Sequence, residues 1–209
     1  MADSFTLHGI QLSGPTQKVA LTLALAGQKF AYKHVNLREG AHKKPEFLRM
    51  NRFGQVPVLT HGAMTLCQSG AIMFYLADTL GKLAGKDAAM KARAREWVFW
   101  DMDALSPGIF RARAIAKGFF KAEPAVIEFT QKQATNGLKA LDGFLANGPY
   151  LTGAEPTIAD VSCYVPCFMA PEGNLDTSGL ANVQAWMKRI QGLPGYKPLY
   201  ELLPMHDAP

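Results

Sequence analysis

The run GQVPVL, residues 54–59, carries a proline inside a short apolar stretch that otherwise has the composition of a β-strand. Proline has no N–H to give to a strand ladder, so within sheets it is confined to edges, first positions and bulges. Two interpretations follow from the residues. Either Pro57 opens an edge strand, or the backbone beside it is left open to pair with something other than a neighbouring strand.

The residues around this run predict a small mixed sheet with helices. Alternating or short apolar stretches bounded by Gly, Pro and Asn favour strands, and longer apolar segments closed by glycine favour helices. A strand–helix–strand crossover followed by a hairpin and a helix gives a mixed sheet. The predicted elements are a strand at 5–8, a helix at 13–27, a strand at 30–37, a short helix at 42–51, strands at 56–60 and 64–66, and a helix at 68–81.

The composition changes after Gly81, and from there only helices are predicted. Thr157 and Asp160 precede an apolar run and fit a capping box, with Asp in place of the usual Glu or Gln. The predicted helical segments are 88–105, interrupted by Ser106-Pro107-Gly108, then 129–145, 183–190 and 197–203. We therefore predict an α/β domain at 1–81, a linker at 82–87 and an all-α domain at 88–209.

Composition restricts the class of protein. The chain has 209 residues, 48% of them hydrophobic, and a net charge of +5. The basic residues are dispersed, so nucleic acid is not predicted as a partner. A basic region before a long apolar stretch is absent at the N-terminus, and so is a run long enough to span a membrane, which predicts a cytoplasmic protein with no membrane partner.

The residues that bind metals or carry redox chemistry show no matching pattern. The five histidines form no HExxH or Cys/His spacing, so no metal site is predicted. Cys67, Cys163 and Cys167 include no CxxC pair, which argues against a dithiol centre and for a reducing compartment. We interpret Cys163 and Cys167 as small buried hydrophobes.

Several motifs, taken in order, give the chain a family resemblance. It resembles the cytosolic glutathione transferases, in particular the theta-like and related bacterial serine-type classes. The resemblance implies a thioredoxin-like N-terminal domain, an all-α C-terminal domain, glutathione as co-substrate and a homodimer. The motifs are LHGIQLSGPTQKV (7–19), HKKPEF (42–47), NRFGQVPVL (51–59), QSGAI (68–72) and TIADVSCY (157–164).

The resemblance assigns Ser13 to the sulfur of glutathione and Val56 to its backbone. A hydroxyl that donates to a thiolate lowers the pKa of the thiol, and the helix that begins after Ser13 adds positive dipole there. The alternative is a serine that only caps the helix. In relatives the bond before the residue at Pro57 is cis, and the residue before it pairs with the cysteinyl backbone like an added strand.

Two further groups are expected to bind the charged ends of glutathione. Gln68 and Ser69, at a predicted helix start, would bind the γ-glutamyl carboxylate, with simple capping as the alternative. Many relatives carry Glu where this chain has the neutral Gln68. The glycine carboxylate would meet His42 and Lys43, with Gln55 nearby, although a solvated loop is the alternative reading of His42 and Lys43.

The helical domain is expected to hold the second substrate. We considered Asp101 as a source of negative charge across a dimer, with a solvated helix face as the alternative. Candidate acceptor-site residues are Ala104, Leu105, Phe110, Phe119 and Phe168. A basic group could line an anion-favouring cleft or be dispersed solvated charge; its members are Arg111, Arg113, Lys117 and Lys121. Trp97 and Trp100 are interpreted as packing residues.

These observations predict a transferase that conjugates glutathione to small, hydrophobic electrophiles. One alternative is a glutathione-dependent peroxide or disulfide reductase, in which the thiolate attacks oxygen or sulfur. The other is a non-catalytic member of the family that only binds.

Overall fold

A four-stranded mixed sheet organises the first part of the chain. The computed structural model describes residues 4–206. The strands are β1 (Phe5–Gly9), β2 (Phe30–His34), β3 (Val58–His61) and β4 (Met64–Cys67), in the spatial order β2-β1-β3-β4. Strand β1 runs parallel to β2 and antiparallel to β3, and β3 pairs with β4 as a hairpin. The order of these strands along the chain and the hairpin of β3 and β4 are those that the sequence predicted.

Three α-helices and one 3-10 turn belong to the sheet. They are α1 (Gly14–Leu25), the 3-10 turn Ala41–Lys43, α2 (Pro45–Met50) and α3 (Ser69–Leu80). Leu7, Leu23, Leu59, Ile72 and Leu76 are fully or almost fully buried in one cluster, so the sheet and two of its helices share a core. Strand β2 ends at His34, three residues before the predicted end.

The chain divides into two compact units, one of residues 4–82 with 194–206 and one of 83–193. The predicted division into 1–81 and 88–209 stays a prediction, and its outermost residues lie outside the described range. The segment 194–206 nevertheless packs with the sheet, although we expected it in the helical domain. The side chain of Gln11 donates to the carbonyls of Tyr200 (2.6 Å) and Leu203 (2.9 Å). A short helix, α9 (Leu199–Leu202), contacts α1.

The second unit consists of helices. They are α4 (Ala88–Trp100), a π turn at Asp101–Leu105, α5 (Ser106–Ala116), α6 (Pro124–Leu145), α7 (Ile158–Met169), a 3-10 turn at Ala170–Gly173 and α8 (Ala181–Gln191). The predicted interruption at Ser106-Pro107-Gly108 is wrong, because these residues begin α5 directly after the π turn. Pro107 lies in the first turn of α5, where its missing N–H is tolerated. Helix α6 also begins earlier than predicted, with proline at its start.

The predicted capping box at α7 is confirmed. Thr157 is the N-cap of α7, and its N–H donates to the carboxylate of Asp160 at 2.9 Å. The same carboxylate accepts from the N–H of Leu151 (3.0 Å) and the indole N–H of Trp186 (2.9 Å). Burial raises the pKa of Asp160, and these donors offset part of that rise. Cys163 and Cys167 are buried in the same helix, as predicted.

None of the helices within residues 4–206 is long and apolar enough to cross a bilayer.

Candidate active site

Ser13 caps a helix and still has a proton to donate. Its N–H donates to the carbonyl of Ile10 at 3.0 Å, which closes a turn between β1 and α1. Its hydroxyl oxygen accepts the N–H of Thr16 at 3.3 Å, the bond of an N-cap. A hydroxyl has one proton and two lone pairs, and the cap uses only a lone pair. Capping and donation to a thiolate are therefore compatible roles.

Glycine at the end of β1 lets α1 begin close to the sheet. A Cβ built on Gly9 would lie 2.4 Å from the side-chain methyl of Thr16, a distance that real side chains do not allow. The first turn of α1 holds no acidic residue. The partial positive charge of its N-terminus is therefore not neutralised by a side chain of that turn.

The peptide bond between Val56 and Pro57 is cis, as the resemblance implied. Strand β3 begins only after it, at Val58, which pairs with His8 and Cys67. Within residues 4–206, no hydrogen bond uses the main-chain N–H or C=O of Val56. This residue therefore presents a free backbone edge, the second of the two interpretations of the opening run.

Asn51 organises the loop before Val56, and our sequence reasoning missed it. It is almost fully buried, and its side-chain amide donates to the carbonyl of Gln55 at 2.6 Å. Its side-chain oxygen accepts the N–H of Phe53 at 3.0 Å. An asparagine that bonds to its own loop is a recognised turn signal, so the stretch NRFG held the information.

Gln68 and Ser69 lie at the start of α3. Gln68 has a φ of +68°, which is uncommon for a residue other than glycine, and its side chain is exposed. The amide of Gln68 donates to the side-chain oxygen of Gln55 at 3.4 Å. Ser69 is the first residue of the helix and is buried. The structure thus brings Gln55 together with the pair at 68 and 69.

His42 and Lys43 lie in the 3-10 turn, against the loop that carries Gln55. The ammonium of Lys43 donates to the carbonyl of Gly54 at 3.1 Å. Gly54 has a φ of +56°, and a Cβ there would lie 2.9 Å from the Lys43 nitrogen. The Nδ1 atom of His42 is buried with no hydrogen-bond partner among the described residues. Burial, and next the charge of Lys43, lowers the pKa of His42, which favours a neutral imidazole.

The register of the sheet explains why these groups converge. Because His8 pairs with Val58 in an antiparallel ladder, the last residues of β1 and the first residues of β3 lie at the same end of the sheet. Because Val58 also pairs with Cys67, the end of β4 lies there too. The turn that carries Ser13, the open backbone of Val56 and the helix start at Ser69 therefore leave the sheet at one end.

Comparison with known families identifies this arrangement. The family model described as "Glutathione S-transferase, N-terminal domain" matches residues 4–78, and the one described as "Glutathione S-transferase, C-terminal domain" matches residues 124–189. The chain belongs to the glutathione S-transferase family. This confirms the predicted thioredoxin-like and all-α fold class, and the chain is a transferase.

Individual proteins resemble the chain over most or nearly all of its length. Glutathione S-transferase 3 of Zea mays is 30% identical over 216 residues, which cover 97% of this chain and 96% of the relative. The crystal structure of a glutathione S-transferase from Pseudomonas fluorescens Pf-5 superposes with a TM-score of 0.88 at 29% identity, covering 93% of this chain and 98% of that one. The disulfide-bond oxidoreductase YfcG of Escherichia coli K12 is 26% identical over 184 residues, with 85% and 86% covered.

Asp101 of this glutathione transferase is not placed as we expected. It is fully buried within the helical unit, where its carboxylate accepts hydrogen bonds from the hydroxyls of Ser106, at 2.7 Å, and Ser162. This placement contradicts both earlier readings, the charge offered to a ligand and the solvated helix face. Asp101 is the first residue of the π turn, in which Leu105 is also buried.

The basic group of the helical unit is partly internal. Arg113 is buried and forms an ion pair with Glu172 at 2.9 Å, and Lys117 contacts the same carboxylate oxygen at 2.7 Å. Arg111 and Lys121 are exposed. Lys117 is exposed as well, although it pairs with Glu172. The reading of all four as dispersed solvated charge is therefore wrong for Arg113, whose charge is buried against Glu172.

The candidate acceptor residues differ in exposure. Leu105 is fully buried within the helical unit and Phe119 is half exposed, whereas Ala104, Phe110 and Phe168 are intermediate. Trp97 packs edge-on against Trp100 and Phe144, with ring centroids 5.0 and 4.6 Å apart, as expected of packing residues. In the described part of the chain, no three His, Cys, Asp or Glu side chains are grouped so that they could hold a metal ion.

Proposed function

We propose that this transferase ionises the thiol of glutathione at Ser13 and joins its sulfur to small, hydrophobic electrophiles. A free thiol has a pKa of about 8.5, so only a few per cent is thiolate at neutral pH. A hydroxyl that donates to the thiolate favours the ionised form. The thiolate then forms a carbon–sulfur bond and the leaving group departs with its electron pair. Ser13 is a donor here and not a nucleophile.

The observation that carries the proposal is the convergence at one end of the sheet. Ser13 keeps its proton while capping α1, and Val56 offers an open backbone edge to the cysteinyl residue of glutathione. Ser69 and the helix start of α3 suit the γ-glutamyl carboxylate. Gln68, being neutral, offers an amide oxygen to the ammonium group in place of a charge.

The glycine carboxylate of glutathione would bind at the 3-10 turn. Lys43 uses one of its three N–H donors on Gly54, which leaves two for a ligand. A neutral His42 contributes one N–H donor. Gln55, which contacts Gln68, would lie between the two carboxylates of the tripeptide.

A chlorinated nitroarene tests this proposal directly. We expect the wild-type protein to conjugate 1-chloro-2,4-dinitrobenzene to glutathione and to be retained on immobilised glutathione. Ser13→Gly removes the hydroxyl while keeping a residue that is tolerated at an N-cap. Full activity of Ser13→Gly at neutral pH, where little free thiol is ionised, would refute the role of Ser13. Retention without any conjugation would favour the binding-only alternative.

A second candidate function is glutathione-dependent disulfide reduction, favoured by the similarity to a relative named disulfide-bond oxidoreductase. A bound thiolate would attack one sulfur of the disulfide and release the other as a thiol. A second glutathione would then resolve the mixed disulfide and leave oxidised glutathione. Cys67 is a poor substitute for that thiolate, because burial raises its pKa and its S–H donates to the carbonyl of Met50. Assaying both reactions with one preparation decides which rate is larger.

The homodimer and the cytoplasmic location stay predictions from the resemblance and the composition. Light scattering of the purified protein tests the dimer, and cell fractionation tests the location.

A further inference from the structure

A cavity of about 210 Å³ opens beside the turn that carries Ser13. Ile10 and Leu12 form one wall of this cavity, and the N–H of Ser13 closes their turn by donating to Ile10. Leu12 directly precedes Ser13 in the chain. Because consecutive Cα atoms are about 3.8 Å apart, the wall that Leu12 forms adjoins Ser13. Neither Ser13 nor any other residue proposed to contact glutathione lines this cavity.

The C-terminal segment contributes a second wall of the cavity. Gln11 is buried, and its amide binds the carbonyls of Tyr200 and Leu203. These bonds fix the segment against the β1–α1 turn, so that Met205 and His206 line the cavity. Hydrogen bonds to a buried amide make this wall a built part of the sheet unit.

The polar lining of the cavity favours a negative charge. Arg38, Asn36, His34 and His206 contribute to it, and none of the lining residues that the structure describes is acidic. The side-chain oxygen of Asn36 accepts the N–H of Arg38 at 3.1 Å, which leaves its NH₂ group as a donor. Arg38 is exposed, and its guanidinium forms no ion pair within residues 4–206. The permanent positive charge of Arg38 therefore lies at the mouth of the cavity.

The size of the cavity suits one aromatic ring. A cavity of about 150 Å³ in another protein is known to hold benzene. A volume of about 210 Å³ therefore admits a substituted benzene ring. The apolar side chains of Ile10, Leu12 and Met205 would contact the ring.

We propose that the acceptor substrates of this transferase are aromatic electrophiles that carry a carboxylate, with the ring in this cavity and the carboxylate at Arg38. The proposal rests on the proposed function and names the substrate class of the same site. In the reaction, the thiolate sulfur attacks the ring carbon that bears a halogen. The carbon–sulfur bond forms, the carbon–halogen bond breaks and the halide leaves with the electron pair, so no further reactant is needed.

Calorimetric binding of two reaction products tests this substrate class. The ligands are the glutathione conjugate of 4-chloro-3,5-dinitrobenzoate and the conjugate of its methyl ester, in which an added methyl group removes the negative charge of the carboxylate. We expect the acid conjugate to bind the wild-type protein about tenfold more tightly, which corresponds to about 1.4 kcal/mol. Added salt should narrow the difference, because the Debye length is about 10 Å at 0.1 M ionic strength.

A matched pair of arginine variants tests whether Arg38 causes the difference in affinity between the two conjugates. Arg38→Ala should bring the two conjugates to nearly equal affinity and leave the affinity for glutathione itself unchanged. Arg49→Ala removes another exposed arginine of the same unit, on α2 and away from the cavity lining, and should keep the wild-type difference.

Two results would overturn the proposal: equal binding of the acid and ester conjugates by the wild-type protein, or a difference that survives Arg38→Ala. Failure of the proposed function is distinguishable from both. A protein that prefers the acid conjugate through Arg38 but shows no turnover of 4-chloro-3,5-dinitrobenzoate supports the cavity as an anion site and refutes the transferase reaction. A protein that binds neither glutathione nor either conjugate overturns both proposals.

Discussion

Replacing Ser13 by glycine should change the pH dependence of conjugation more than its maximum rate. The hydroxyl accepts the N–H of Thr16 at 3.3 Å, and an N-cap serine contributes about 1 kcal/mol relative to alanine but only a few tenths relative to glycine. Stabilities of folded domains are about 5–15 kcal/mol, so Ser13→Gly should stay folded. Any large loss of activity then reflects the missing donor and not the missing cap.

The size of the effect follows from the bond that is lost. A hydrogen bond to a charged group contributes about 1.5–3 kcal/mol, or roughly one to two units in the pKa of the bound thiol. At a pH below both pKa values, the thiolate fraction and the rate should therefore fall about ten- to a hundredfold. Above the raised pKa the thiolate forms without help, so the rate of Ser13→Gly should approach that of the wild type.

The assay is kcat/KM for 1-chloro-2,4-dinitrobenzene across the pH range, with the ultraviolet absorbance of the bound thiolate as a second reading. We expect the acid limb of the Ser13→Gly profile to move to higher pH and the two plateaus to lie within a few-fold of each other. Superimposed profiles would refute the reasoning. A loss that is equal at every pH would show that Ser13 positions the tripeptide and does not ionise it.

Three further predictions concern stability. Gly137→Ala should destabilise the protein by about 1–3 kcal/mol, because the added Cβ would lie 2.8 Å from a backbone carbonyl oxygen. Gly143→Ala, in the same helix, adds a Cβ that meets nothing within 4 Å and should stabilise the protein by about 0.5–1 kcal/mol. Denaturant titration of both variants measures the two free energies of unfolding. Asp160→Asn turns an NH₂ group toward buried donors and should cost about 3 kcal/mol, lowering Tm by roughly 6–12 °C. Burial, with a smaller effect of a nearby lysine, lowers the pKa of His8, so the unfolded chain binds this proton at higher pH than the folded one. Stability should therefore fall as the pH drops below the ordinary value of 6.5, and His8→Gln should flatten that dependence of Tm.

The sheet unit was predictable because its signals are local. The hairpin turn, the glycine after α1 and the proline at position 57 each act within a few residues, and together they predict the sequence of strands and helices along the chain. The cis bond before Pro57 was not contained in composition or periodicity, and only the family resemblance implied it. The register of β3 then determines which loops meet at the end of the sheet.

The features that were missed depend on contacts between distant parts of the chain. Asp101 has the sequence context of an exposed helix position, yet it is buried in a π turn and bonded to Ser162, which lies 61 residues away in the chain. The side chain of Gln11 binds the carbonyls of Tyr200 and Leu203, about 190 residues further along the chain, and so holds the C-terminal segment against the sheet unit. Periodicity reports which positions are apolar, but it does not report which polar side chain will find a buried partner.

The proposed glutathione site uses few groups that titrate near neutral pH, and this determines what a pH profile would measure. The hydroxyls of Ser13 and Ser69, the main chain of Val56 and the amide of Gln68 keep one protonation state. Burial, and next the charge of Lys43, lowers the pKa of His42, which favours its neutral form. The acid limb of the conjugation rate should therefore report the thiol of bound glutathione. On this account His42→Gln should weaken binding of the tripeptide while leaving the acid limb in place, and a displaced limb in that variant would contradict the assignment of the limb to the thiol.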